Sequence, residues 1–155
     1  MKARSRLARR LAAALCALCA VASAAAAFGA DAAAEISPQR ARSLYLLHCS
    51  GCHQPDGSGS PAFGVPTMRG SLGHFQNTPA GRAFLVQAPG ARNAHISDAE
   101  LAALTNWQLL QFAPATLPPN FKPYTAEEVS RWRANPPLDV AAARAAIVAG
   151  FPPAP

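Results

Sequence analysis

Cys49, Ser50, Gly51, Cys52 and His53 follow one another directly and form a C-x-x-C-H pattern. Two thiols separated by two residues fall on one tight helical turn, and the next residue carries an imidazole. This is the arrangement that joins two vinyl groups on one porphyrin edge to protein as thioethers, with a histidine nitrogen on the iron. Ser50 and Gly51 are small enough to let the backbone approach a ring edge. The pattern predicts one covalent haem c, attached through Cys49 and Cys52, with His53 as the proximal iron ligand.

Other uses of the pair fit the surrounding sequence less well. A thioredoxin-like redox pair needs a βαβ setting, and strand-like alternation is absent from the sequence. Zinc needs about four ligands, and neither a second C-x-x-C in the mature chain nor an H-x-x-x-H supplies them. A disulfide across two residues would be strained and would close almost no loop. Cys16 and Cys19 also make a C-x-x-C, but without a following histidine and inside the apolar run near the N-terminus.

That N-terminus reads as a signal peptide over residues 1–27. Lys2, Arg4, Arg6, Arg9 and Arg10 form a basic start, Leu11 to Val21 a short apolar core, and Ala25-Ala26-Ala27 a cleavage pattern. The core is too short to span a bilayer, so no transmembrane anchor is expected in the mature chain. Cleavage after Ala27 would remove five of the 14 basic residues and none of the eight acidic ones, lowering the net charge from +6 to +1. A nearly neutral mature protein argues against a nucleic-acid partner. The expected location is the periplasm, an exported and oxidising compartment suited to haem attachment.

The elements that must carry the site are helical. After a flexible leader (28–36), Ser37-Pro38 signals a helix start, as N-cap and first-turn proline, and the helix runs through Leu47 into the cysteines. Residues 54–79 are rich in Gly, Pro and Ser and read as a long functional loop. Thr78-Pro79 opens a helix to about Ala88, ended by Pro89-Gly90. Ser97 and Glu100 form a capping box for a helix reaching Phe112, with Leu101, Leu104, Trp107, Leu109 and Phe112 on its apolar stripe. Two shorter helices are expected from Thr125-x-x-Glu128 and from Asp139. The class is all-α: a small helical haem domain (37–112) with long wrapping loops, followed by a Pro-rich helical extension (113–155).

The segment from Ala41 to Phe112 resembles a class I cytochrome c. Tyr45, four residues before Cys49, matches the aromatic of the family's first helix, and Trp107 the aromatic of its last. Ala41 stands where the family often has glycine at that helix crossing. Pro66-Thr67-Met68-Arg69-Gly70 resembles P-x-L-x-G; the resemblance implies that the Pro66 carbonyl accepts the second N–H of the proximal imidazole. The family's sixth ligand is a methionine about forty residues after the histidine, which this chain lacks. His95, 42 residues after His53, is one candidate for the sixth position, and Met68, in the leucine slot of the motif, is the other. His48 and His74 are expected to face solvent. The resemblance implies an electron carrier and not an enzyme, working between a periplasmic dehydrogenase and a downstream cytochrome or oxidase. Two alternatives stay open: a five-coordinate ligand sensor or weak peroxidase, and a fixed haem subunit of a dehydrogenase complex.

Overall fold

The computed structural model describes residues 36–153. The predicted signal peptide and all but the last residue of the leader lie outside them. Among the described residues, five helices of eight or more residues carry the architecture. α1 (Pro38–His48) is capped by the Ser37 hydroxyl, which accepts from the Arg40 N–H. α2 (Ser50–His53) is a single turn that continues α1 after a break at Cys49. α3 (Pro79–Gln87) is capped by Thr78. α5 (Asp98–Phe112) and α6 (Ala126–Arg133) both close the reciprocal capping box at their first turns. α7 (Val140–Val148) is capped by Asp139. The start of each of the five longer helices coincides with a residue whose side chain caps free N–H groups of the first turn.

α5 is the centre of the fold and packs against both α1 and α6. The large side chains under 2% exposed are Leu44 and Tyr45 of α1, Val86 of α3, Leu101, Leu104 and Leu109 of α5, and Val129 of α6. Each contributes about 1.5–3 kcal/mol of burial. Val129 and the buried Tyr124 both belong to the C-terminal extension. The change of composition at residue 112 is therefore no break in packing, because the extension supplies part of the same core.

Arg82 of α3 binds that extension from below its surface. Its guanidinium donates to the Lys122 and Pro123 carbonyls at 2.6 and 3.0 Å and to Glu128 at 2.8 Å. It also lies 4.1 Å from the Tyr124 ring centroid. The side chain is only 15% exposed.

Three local features differ from the sequence expectation. Pro89-Gly90 does not simply end a helix. Proline forces Ala88 into an extended conformation and then sits at the first position of a new turn, α4 (Pro89–Arg92). The 54–79 loop is internally bonded, with 3₁₀ turns at Pro61–Phe63 and Leu72–Asn77 and a Ser60–Val65 bridge. His74 is half-buried, because the 3₁₀ turn bearing it places its ring 5.3 Å from that of Phe151.

Candidate haem site

The C-x-x-C-H residues occupy one continuous helical turn. Cys49 N–H donates to the Tyr45 carbonyl (2.9 Å), and the N–H of His53 returns to the Cys49 carbonyl (2.9 Å). Cys49 is half-buried against the core and Cys52 is exposed, and neither forms a disulfide. Burial pushes the Cys49 thiol up to about 11, opposed by a hydrogen bond from the Gln108 side chain. Gln108 lies on the buried face of α5 beside Thr105 and Leu109. It was not foreseen from sequence, where an amide on an apolar stripe looks like a surface residue.

Burial lowers the pKa of His53, and the Pro66 carbonyl acts in the opposite sense. The lowered value favours neutral imidazole, the form that ligates a metal. Nδ1 is buried and makes no well-formed hydrogen bond. The Pro66 carbonyl is close enough to act on the charge of the ring, although no well-formed hydrogen bond joins the two. A proximal histidine needs such a partner to hold its ring orientation and raise its basicity.

What brings the 65–66 backbone to His53 is Gly59. Its N–H donates to the His53 carbonyl at 2.9 Å, and its φ is +72°. A Cβ at this position would lie 2.5 Å from the Pro66 oxygen. The chain reaches Gly59 through Gln54, whose φ of 63° and ψ of 155° are costly for a residue with a side chain. That conformation is held from three directions. The Tyr45 hydroxyl and the Gly57 N–H both donate to the Gln54 carbonyl, and the Gln54 amide donates to Ser60 Oγ. Tyr45 is fixed in turn by Trp107 and Phe112, with ring centroids 5.4 and 5.1 Å away. The aromatic pair expected at the helix crossing is therefore an aromatic trio, and its hydroxyl sets the turn that follows His53.

Met68 and His95 occupy different settings. Met68 is half-buried against the core, and its N–H donates to the Gly57 carbonyl at 2.8 Å. It thus belongs to the same folded loop that carries Pro66. His95 is exposed on the loop between α4 and α5. Among the described residues no three His, Cys, Asp or Glu side chains converge on a metal position. A donor set of two sulfurs and one imidazole on a single turn fits haem, whose ring supplies the equatorial ligands itself. A separate cleft of about 540 Å³ is lined by Arg42, Asp56, Arg69, Trp107 and Gln111 and includes neither cysteine nor His53.

The chain is similar to a cytochrome c-552 of Thermus thermophilus, with 30% identity over 105 residues covering 56% of this chain and 79% of the relative. A second cytochrome c-552, from a particular strain of the same organism, matches at 30% identity over 105 residues and 70% of its length. No protein-family profile and no solved structure matches.

Proposed function

The chain belongs to the c-type cytochromes, haem proteins of electron transfer, and from that premise we propose that it is an exported carrier of single electrons with one covalently attached haem. Cys49 and Cys52 would hold the haem as thioethers, His53 would ligate its iron, and the Pro66 carbonyl would orient the imidazole. When bound, haem supplies a one-electron iron couple. The protein's own part is to hold the sulfurs on one turn, keep His53 neutral and exclude water from its Nδ1. The observation that carries this reading is the buried, unpartnered Nδ1 of His53 facing the backbone at Pro66.

We assign the sixth position to His95. Met68 lies in the loop that serves the proximal imidazole, whereas a ligand for the opposite ring face must come from another segment. The His95 imidazole is exposed. A second imidazole lowers the reduction potential relative to a thioether. Ferric optical and EPR spectra of the purified protein test the assignment. A low-spin bis-histidine signature that turns high-spin in His95→Ala agrees with it. An unchanged spectrum in that variant excludes it, and a high-spin spectrum in the unsubstituted protein would favour the five-coordinate sensor or peroxidase.

Electrons would pass between a periplasmic dehydrogenase and a downstream cytochrome or oxidase through a small, transient contact. The mature net charge of about +1 leaves little long-range steering. Association with the donor should weaken little between 50 and 200 mM salt; a steep loss measured by stopped-flow would contradict this. The burial of Tyr124 and Val129 favours an extension that completes its own domain over one reserved for docking on a larger complex.

A further inference from the structure

Arg133 is the last residue of α6, and its guanidinium is turned into the loop joining α4 to α5. Nε donates to the Arg92 carbonyl at 2.8 Å, Nη1 to the Ile96 carbonyl at 2.9 Å and to the Asp98 carboxylate at 3.0 Å, and Nη2 to the Ala94 carbonyl. The side chain is 17% exposed. Three alternate carbonyls (92, 94 and 96) therefore converge on one cation. Their residues are half-buried, and the residues between them, Asn93 and His95, are exposed.

We propose that Arg133 is a positioning residue for the iron site, holding the 92–98 loop in the register that presents His95. The proposal rests on His95 as sixth ligand. It gives the C-terminal extension a role in the site, through one side chain of α6. Only arginine suits the position. Its planar fork offers five donors in fixed directions, and charge-assisted bonds are the stronger kind. Lysine keeps the charge but cannot serve three carbonyls and a carboxylate with the same geometry.

The full-length holoprotein provides the test, with Arg133→Ala, Arg133→Lys and His95→Ala compared with Arg131→Ala, an exposed arginine of the same helix. Two readouts are needed: titration of the ferric iron with added imidazole, and amide hydrogen exchange over residues 93–97. An internal ligand that competes less well lets external imidazole bind more tightly. Arg133→Ala should raise its apparent affinity about tenfold, the equilibrium weight of one hydrogen bond to a charged group. Exchange in the loop should quicken, Arg133→Lys should fall between, and Arg131→Ala should match the unsubstituted protein. If Arg133→Ala fails to fold, the lysine variant carries the comparison. A spectrum changed by His95→Ala, together with unaltered imidazole affinity in both Arg133 variants, overturns the positioning role and leaves the ligand in place. A spectrum unmoved by His95→Ala overturns the ligand assignment, and the proposal with it.

Discussion

Replacing Gly59 by alanine should damage the proximal side without touching any group that binds haem. Two costs combine. A residue with a Cβ at a φ of +72° loses about 1–2 kcal/mol in the left-handed region. The new Cβ would also stand 2.5 Å from the Pro66 oxygen and 2.7 Å from the Val65 oxygen, well inside the roughly 3.5 Å of a normal contact. The 65–66 backbone must retreat, an overpacking strain of about 1–3 kcal/mol, and it takes the Pro66 carbonyl away from the buried His53 nitrogen. Together these give about 2–5 kcal/mol, or a fall in Tm of roughly 10–20 °C for a domain of this size. Gly64 provides the control. Its φ is +75°, but a Cβ there meets nothing within 4 Å, so Gly64→Ala should show the conformational cost alone. Thermal unfolding followed by circular dichroism, with the ferric spectrum recorded beside it, reads both effects. A Gly59→Ala protein no less stable than Gly64→Ala, with unaltered iron spectrum, would refute the role assigned to the close approach.

Arg82→Ala strands Glu128 in a half-buried position and removes donors from the Lys122 and Pro123 carbonyls, so chemical denaturation should show a loss of about 3 kcal/mol. Acid should have a related effect. Burial alone pushes the Glu128 carboxyl up, but the hydrogen bond and charge of Arg82 outweigh it and hold the folded value below the ordinary 4.5. A depressed folded pKa gives stability that is fully present above pH 4.5 and is lost as pH falls through the lower folded value. Unfolding midpoints should therefore be flat above pH 5 and decline below 4.5, with a shallower decline in Glu128→Gln. Cys49→Ala or Cys52→Ala should leave one thioether, and the double variant should release its haem into acidified butanone while the unsubstituted protein retains it.

The helices were legible in the sequence because their starts are local chemistry. Ser37, Thr78, Ser97, Thr125 and Asp139 each cap the helix expected to follow, and a cap needs only the next three residues. The C-x-x-C-H turn was legible for the same reason, since its five residues span one turn. The loop from 54 to 79 was not, because its order comes from bonds between distant positions, such as Met68 N–H to Gly57 and the Arg69–Asp56 ion pair. Nor did composition reveal that Val129 and Tyr124 belong to the core. Their segment has its own capping box and prolines, and only packing against α5 decides where its apolar face goes. Residue type and spacing along the chain thus determined which groups could bind haem. The tertiary structure decided which backbone faces His53 and which arginine holds the loop of His95, because those contacts join residues 13 to 41 positions apart.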